Sequence, residues 1–297
     1  MKIDKYAAID IGSNAVRMLI ANVIQDKGET YFRKNSLVRV PIRLGEDSFT
    51  SGTISTTNRN RLIESIKAFK ILMEVHGVKH YLAYATSALR EADNGQEVLD
   101  EIASQSEIKI ELIDGAKEAA ILSNTNIFDQ VSIDKTFLYI DVGGGSTEFS
   151  VIKKGERICS KSFKIGTVRL LNGQVPIHYW DEIEDWIITN LSTVDKVYLL
   201  GTGGNINKLH KMAALKEEKP ITYLMLNALY RKISALTYEE RIVHLGLNPD
   251  RSDVILPAME IYIRALRWSR AKVIYVPKIG LSDGMIKEIA KMKGLSI

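Results

Sequence analysis

The sequence contains one cysteine, Cys159, and no apolar run approaching the roughly 18 residues needed to span a bilayer. A single cysteine excludes an internal disulfide and indicates a reducing compartment. The first apolar stretch is interrupted by Asp10, and the N-terminal residues do not resemble a signal peptide. These absences predict a cytoplasmic protein without a membrane span.

Several nucleotide and metal signatures are also missing. The Walker A loop is absent, which excludes the common P-loop NTPases, and so is the Gly-x-Gly-x-x-Gly fingerprint of a dinucleotide site. Basic residues exceed acidic ones by only 40 to 36, which fits an anionic ligand but does not indicate nucleic acid. The histidines lack the spacing of metal ligands; they are His76, His80, His178, His210 and His244.

The length and patterning of the chain predict two α/β domains. Its 297 residues suffice for about two domains, and 45% of them are apolar. Ser55 or Thr56 can cap a clear amphipathic helix, and Gly77 can end it. Strand and helix patterns alternate in both halves. Strands are predicted at 5–11, 15–24, 80–85, 108–113, 136–141, 147–153, 196–200 and 272–277; helices at 57–76, 96–105, 116–127, much of 205–270 and 283–297; and a polar loop at 86–95.

One unit occurs twice: a buried strand, an aspartate, a glycine-containing turn and a second strand. Its first copy contains Asp10 and the turn at 12–14, and its second contains Asp141 and the turn at 143–146. The repeat predicts a duplicated domain plan. We expect an N-terminal domain at 1–128, joined by the final helix at 283–297, and a second domain at 129–282.

Each turn combines residue types that suit phosphate chemistry. Glycine lets the backbone come close to a ligand, so that several N–H groups can surround an anion. An aspartate at the end of the preceding strand can hold Mg²⁺, and the metal can bridge to phosphate oxygens. Two such turns predict a phosphate clamp, for which one turn would be weak evidence.

The two turns resemble the phosphate loops of the actin, sugar-kinase and heat-shock-chaperone ATPase superfamily, and the segment from Gly201 to Asn205 occupies the place of its later glycine loop. Other segments resemble the exopolyphosphatase and guanosine pentaphosphate phosphohydrolase (Ppx/GppA) family over nearly the whole chain. They are Arg43–Glu46, Ala85–Ala92 with Asn94, Gly115–Ala119, Asp141–Glu148, Gly166–Leu170 and Arg251–Ile255.

This resemblance implies two similar actin-like, ribonuclease H-like lobes with an interdomain cleft. It implies a hydrolase that releases orthophosphate from polyphosphate or guanosine pentaphosphate with Mg²⁺ or Mn²⁺. The implied catalytic residues are Glu118, which would orient or deprotonate water, Arg90, which would neutralise the phosphoryl group, and Glu148. The implied metal ligands are Asp141, Glu148 and Asp10, and the implied phosphate-binding residues are Ser13, Asn14, Gly143, Gly144, Gly145, Ser146, Gly203 and Gly204.

Other functions of the same superfamily stay open at this stage. An ATPase or kinase is one alternative, although no sugar or acid pocket is marked in the sequence. A non-catalytic polyphosphate or nucleotide sensor is another, although Glu118, Asp141 and Glu148 are all present. The expected partner is the substrate, with neither nucleic acid nor membrane, and a homodimer is left open. The chain departs from the family pattern at Ala116 and Lys117, where acidic residues are usual, and at Ser282-Asp283, where Arg-Glu is common.

Overall fold

The computed structural model describes residues 1–123, 125, 135–216 and 218–296. The chain forms two compact units, one of Met1–Thr125 with Gly280–Ile297 and one of Asn126–Ile279. The expected first domain boundary, between 128 and 129, lies outside the described residues. Within the described parts of the chain, no helix is both long and apolar enough to cross a membrane.

The first unit is built on a five-stranded sheet. Its central strand is β1, which is buried along most of its length because it carries the run Tyr6–Ile11. Strands β1, β2 and β3 are antiparallel, whereas β4 and β5 run parallel to β1, in the order β3-β2-β1-β4-β5. The strands are β1 (Lys2–Ile11), β2 (Val16–Asp26), β3 (Glu29–Val40), β4 (His80–Ala85) and β5 (Glu111–Leu112).

Helices cover this sheet. In the longest of them, the apolar residues whose helical spacing predicted the helix are buried. The longest begins after Ser55, whose hydroxyl accepts from the Asn58 N–H, and ends at Gly77, which has a φ of 68°. Leu62, Ile66 and Phe69 are buried on its inner face. The helices are α1 (Leu44–Ser51), α2 (Thr56–His76), α3 (Ser87–Glu91), α4 (Gly95–Ser106) and α5 (Gly115–Ser123).

The second unit is built on a six-stranded sheet in the order β10-β11-β9-β6-β7-β8. Its strands are β6 (Thr136–Val142), β7 (Thr147–Lys153), β8 (Glu156–Phe163), β9 (Val197–Thr202), β10 (Ile221–Thr222) and β11 (Val273–Tyr275). Its helices are α6 (Thr167–Leu171), α7 (His178–Leu191), α8 (Gly204–Met212), α9 (Tyr223–Ser234), α10 (Tyr238–Leu245), α11 (Pro249–Ser252) and α12 (Ile255–Trp268).

The two sheets share one plan. Strands β6, β7, β8, β9 and β11 follow one another across the second sheet as β1 to β5 do across the first. The irregularity between β2 and β3 falls at Ile20/Ala21, and its counterpart between β7 and β8 falls at Val151/Ile152, the same distance along the repeat. The prediction of α/β architecture in two similar units is confirmed, and β10 is an additional edge strand.

The chain returns to the first unit in its last helix, α13 (Leu281–Met292), which packs on β1, β4 and α5. This helix begins at Leu281 rather than at 283, because the Asp283 carboxylate accepts from the Gly280 N–H at 2.9 Å and so caps the helix start. Gly284 lets α13 cross α5 closely, since a Cβ there would lie 2.5 Å from the Ile121 carbonyl oxygen.

Some elements differ from the prediction. No element was predicted at β3 or β8, which lie at sheet edges. β3 mixes exposed with half-buried residues, and β8 is exposed except at Cys159 and Phe163. The predicted loop at 86–95 contains α3, which is too short for its periodicity to be visible. The strand predicted at 108–113 is limited to Glu111–Leu112, and β10 interrupts the predicted helical region. The predicted helix at 116–127 begins at Gly115, and residues 124, 126 and 127 lie outside the described residues.

Candidate functional site

The β1–β2 and β6–β7 hairpins close with equivalent turns. The Gly12 N–H donates to the Ala15 carbonyl at 3.2 Å, and the Gly143 N–H donates to the Ser146 carbonyl at 3.0 Å. Two residues lie between the bonded residues in each turn, Ser13 and Asn14 in the first and Gly144 and Gly145 in the second. Each hairpin therefore presents a short backbone arch at the end of the strand that carries the aspartate.

In the second unit, residues at the start of α6 donate hydrogen bonds to the carbonyl groups of this turn. The Gly143 and Gly144 carbonyls accept from the Thr167 and Val168 N–H groups at 3.0 and 2.9 Å. The Gly145 carbonyl accepts from the Arg169 guanidinium at 2.8 Å. Because a trans peptide points its N–H opposite to its C=O, the following N–H groups face away from α6.

These N–H groups belong to Gly144, Gly145 and Ser146, and none donates to an acceptor among the described residues. Successive backbone N–H groups of a glycine-rich turn can form an anion-binding concavity. The sequence prediction placed phosphate at this turn, and the local geometry is compatible with it.

The first turn is braced similarly. The Ser13 carbonyl accepts from the Gly45 N–H at 2.8 Å, and the Asn14 carbonyl accepts from the Arg43 N–H at 3.1 Å. The Ser13 side chain is buried and shares a 3.0 Å hydrogen bond with the Ser87 hydroxyl at the start of α3. The segment after β3 thus supports the first turn, as the segment after β8 supports the second.

Asp141 and Glu148 occupy facing positions on β6 and β7. Each has a carboxylate oxygen within 4.8 Å of the other's. Glu148 is only 3% exposed, and its Oε1 accepts from the Ser146 and Ser162 hydroxyls at 2.7 and 2.9 Å. Two carboxylates this close repel each other unless a cation lies nearby. Their hard oxygen atoms beside an amide-lined turn fit Mg²⁺ or Mn²⁺.

Asp10 occupies the corresponding position in the first unit, but its cross-strand neighbour is Arg17. The two side chains approach to 3.4 Å. Burial raises the pKa of Asp10, and the Arg17 charge opposes that rise. The first hairpin therefore carries an acid–base pair where the second carries two acids, and the acid pair is the better match to a cation.

Residues 23–293 match the model of the Ppx/GppA phosphatase family. The chain belongs to this family. The bifunctional 3-dehydroquinate synthase/phosphatase of Fusobacterium nucleatum is 29% identical over 285 residues, covering 86% of this chain and 43% of the relative, so the chain spans less than half of that protein. Exopolyphosphatase 1 of Mycobacterium leprae is 22% identical over 304 residues, covering 95% of this chain and 88% of the relative.

The solved structures agree on the fold. An exopolyphosphatase from Cytophaga hutchinsonii superposes with a TM-score of 0.84 at 24% identity and covers 99% of each chain. The expected actin-like α/β fold of the Ppx/GppA family is thereby confirmed.

In this Ppx/GppA chain, Glu118 lies in the first turn of α5. The Asp114 carboxylate accepts from the Lys117 N–H at 2.7 Å and caps that turn. The Arg90 guanidinium donates to the Ile113 carbonyl and so holds the chain entering α5. Arg90 therefore supports the segment that carries Glu118, a role that the sequence prediction did not include.

The departures from the Ppx/GppA pattern have structural explanations. Lys117 pairs with Glu111 at 2.6 Å and lies 4.7 Å from the Tyr84 ring centroid. Asp283 pairs with Lys34 at 2.9 Å in addition to capping α13. The side chains of Lys117 and Asp283 therefore both make contacts within the first unit.

The glycine loop after β9 approaches Asp141. A Cβ on Gly203, which has a φ of 112°, would lie 3.4 Å from Asp141 Oδ1 and 3.0 Å from the Val142 carbonyl. The next residue, Gly204, begins α8, and its carbonyl accepts from the Arg251 guanidinium at 2.9 Å. Gly203 therefore borders the acid pair, whereas Gly204 is anchored to α11.

Two tyrosines that the sequence analysis missed support the same loop. The Tyr139 hydroxyl lies 2.7 Å from Thr202 Oγ1, and the Tyr262 hydroxyl donates to the Thr202 carbonyl at 2.5 Å. Burial, together with the negative charge of Asp141, raises the pKa of both tyrosines. They stay protonated and fix the end of β9. The only sequence signal for them was that each lies in an apolar run.

Proposed function

We propose that this chain is a metal-dependent hydrolase that releases terminal orthophosphate from inorganic polyphosphate, from guanosine pentaphosphate, or from both. The observation that carries the proposal is the Asp141–Glu148 pair beside the amide-lined turn at Gly143–Ser146. Membership of the Ppx/GppA phosphatase family supports the same reaction class.

The second unit would bind the phosphate end of the substrate. The N–H groups of the turn at Gly143–Ser146 would hold phosphate oxygens, and Gly203 and Gly204 would add further phosphate-binding backbone. Asp141 and Glu148 would hold Mg²⁺ or Mn²⁺, with Asp10 as a further ligand candidate in the first unit. When bound, the metal would supply positive charge to phosphate oxygens.

The first unit would supply Ser13 and Asn14 to bind phosphate and Glu118 to act on water. In the reaction, the water oxygen would bond to the terminal phosphorus while Glu118 takes the water proton. The phosphoanhydride P–O bond would break, and its electron pair would leave with the bridging oxygen of the shortened substrate. Arg90 would stabilise the negative charge, because the guanidinium has five N–H donors and the Ile113 carbonyl accepts from one nitrogen. Positioning and charge stabilisation suffice for phosphoryl transfer, so no covalent intermediate is needed.

The proposal is tested by measuring phosphate release from medium-chain polyphosphate, long-chain polyphosphate, pppGpp and ATP, each with Mg²⁺ and with Mn²⁺. We expect release from polyphosphate, pppGpp or both, and loss of release in EDTA. ATP as the preferred substrate would instead indicate an ATPase. Binding of these compounds without phosphate release from any of them would indicate a sensor.

A further inference from the structure

The second unit contains a cavity of about 1150 Å³. It lies at the end of the strands opposite the turn at Gly143–Ser146, which we call the phosphate turn in this subsection. Its walls include Val197 and Val273, where the parallel strands β9 and β11 begin. The phosphate turn follows the other end of β6, and Gly203 follows the other end of β9. A smaller recess of about 300 Å³ continues it, sharing Asp195, Lys196 and Tyr198.

The cavity wall is strongly cationic. Five basic side chains line it, against the two carboxylates of Glu184 and Asp195. The recess adds Lys135 and Lys153. Because the whole chain has a net charge of only +4, this wall concentrates the positive charge of the molecule. The basic residues of the cavity are Lys196, Arg264, Arg267, Arg270 and Lys272.

Three of these cations are exposed and available to a ligand. Among the described residues, no carboxylate lies within ion-pair distance of Arg267, Arg270 or Lys272. Arg264 differs, since it pairs with Glu260 at 2.8 Å and lies over the Trp180 ring. The free cations follow one another from the last turn of α12 to the strand β11, so they line one side of the cavity.

The aromatic rings nearby are already occupied. Lys135 and Lys196 lie 4.9 and 5.3 Å from the Tyr198 ring centroid. Arg264 lies 4.3 Å from the Trp180 centroid. Trp268, the second aromatic side chain of the lining, packs against Trp180 with the ring centroids 6.1 Å apart. Both lining rings therefore already have partners, and the cavity offers mainly charge to a ligand. The matching ligand chemistry is a chain of phosphates.

We infer that this cavity is a second anion site that binds the distal part of a long phosphoanhydride chain. The inference rests on the proposed function, because the same chain would present its end to the phosphate turn. Seven-residue β6 spans about 20 Å, so a short substrate cannot reach both sites. The cavity volume of about 1150 Å³ lies near the upper end of the usual range for ligand pockets.

The test uses the triple variant Arg267→Gln, Arg270→Gln, Lys272→Gln. All three residues are exposed, so the fold should be preserved. We expect the Kd and KM for long-chain polyphosphate to rise about tenfold, since three screened charge contacts are lost. The salt dependence of binding should become shallower, and release from tripolyphosphate should be unchanged. The matched control is Lys216→Gln, Arg231→Gln, Lys232→Gln, which removes the same charge from exposed positions of the same unit outside the cavity.

The outcomes separate this inference from the proposed function. Equal weakening by both triple variants would show an effect of net charge and overturn the inference. Normal hydrolysis with unchanged long-chain binding in the cavity variant would overturn it as well. An oligonucleotide that binds the cavity as tightly as polyphosphate would overturn the ligand assignment. Cavity-dependent binding of long polyphosphate without hydrolysis of any substrate would support the site and remove the proposed function.

Discussion

Glu148 is a buried carboxylate whose surroundings provide hydrogen-bond donors. The hydroxyls of Ser146 and Ser162 donate to its Oε1, and the facing side chain is Asp141. A buried charge is tolerated when it is hydrogen-bonded and paired with opposite charge. The hydroxyls supply the first requirement, and under the proposed function a divalent cation would contribute to the second.

The variant Asp141→Asn tests whether a divalent cation binds beside Asp141 and Glu148. Loss of one charge should weaken Mn²⁺ binding, measured directly by calorimetry or by electron paramagnetic resonance, and higher Mg²⁺ should partly restore phosphate release. Asp185→Asn is a control at an exposed acid of the same unit. Unchanged Mn²⁺ affinity in Asp141→Asn would exclude this carboxylate as a ligand.

Glu118→Gln separates catalysis from binding. The change keeps the size of the side chain but removes its basicity, so kcat should fall by at least about 100-fold, within the usual range for a general base. Substrate affinity should hold or improve, because a negative charge near a polyanion is lost. Glu64→Gln, on the exposed face of α2, is the matched control. A near-normal kcat, measured as phosphate release at saturating substrate, would remove Glu118 from the mechanism.

Asp4 gives a pH-dependent contribution to stability. Hydrogen bonds from Lys79 and Lys2, at 2.5 and 2.9 Å, hold the pKa of Asp4 below its usual range. Its contribution is therefore present above the unfolded-state pKa of about 3.9 and is lost as the pH falls through the lower folded-state pKa.

Asp4→Asn should lower the free energy of unfolding by about 1 kcal/mol at pH 7, because both lysines are exposed. The difference from wild type should disappear as the pH falls through the lowered folded-state pKa of Asp4. Denaturant titrations across this range measure it. Asp26→Asn, which loses only a 3.8 Å contact with the N-terminus, should change stability little at either pH. A stability loss that does not depend on pH would contradict the assignment.

At the residue scale, sequence reasoning reaches residues that a motif marks and misses those that only packing brings together. The family resemblance implied Asp141 and Glu148 as site residues, and the structure places them opposite each other on β6 and β7, while their roles stay predictions. Tyr139 and Tyr262 could not be predicted, since their hydroxyl contacts depend on how β6 and α12 pack against β9. The role of Arg90 at Ile113 depends on a tertiary contact of the same kind.

At the scale of elements, the turn at Gly143–Ser146 depends on α6 as much as on its own glycines. Gly166, which precedes α6, lies against the turn, and a Cβ there would be 2.3 Å from the Gly144 carbonyl oxygen. Its φ of −142° is accessible to any residue, so the requirement for glycine is steric. This close approach allows residues at the start of α6 to donate hydrogen bonds to the carbonyl groups of the turn.

Gly166→Ala should therefore displace the turn. Overpacking of this kind typically costs about 1–3 kcal/mol. We expect a lower Tm and a higher KM for short polyphosphate, because the N–H groups of the turn move with its carbonyls. Gly280→Ala is the control, since a Cβ at Gly280 meets nothing within 4 Å and its φ is −148°. A Gly166→Ala enzyme with wild-type KM would show that α6 does not position the turn.

The elements that were predicted correctly are those with a strong internal pattern. Helix α2 has a periodic apolar face, a serine cap and a terminal glycine, so its bounds followed from the sequence. Strands β3 and β8 pair on one side and expose much of the other, which dilutes the alternation that would reveal them. β3 and β8 form strands by pairing with β2 and β7, and this pairing cannot be read from their own residues.

At the scale of the molecule, the duplicated plan is completed differently in the two units. The second unit is continuous in sequence, whereas the first also contains α13, which follows the second unit in the chain. Helix α13 buries Met285, Ile286 and Ile289 against the first unit. Each fully buried side chain of this type contributes about 1.5–3 kcal/mol. Together they are comparable with the total stability of a typical domain, about 5–15 kcal/mol.

Removal of residues 280–297 should therefore destabilise the first unit selectively. In hydrogen exchange, amides of β1, β4 and α5 should lose protection, because α13 packs directly on these elements. Amides of β6 and β9 should keep their protection, since the second unit is complete without the helix. Phosphate release should also be lost, because α5 carries Glu118 and Gly284 sets how closely α13 crosses it. A shorter deletion, of 293–297, leaves α13 intact and should leave the exchange pattern of both units unchanged. Full protection of β1 and α5 after the longer deletion would show that the first unit holds its fold, and the position of Glu118, without this helix.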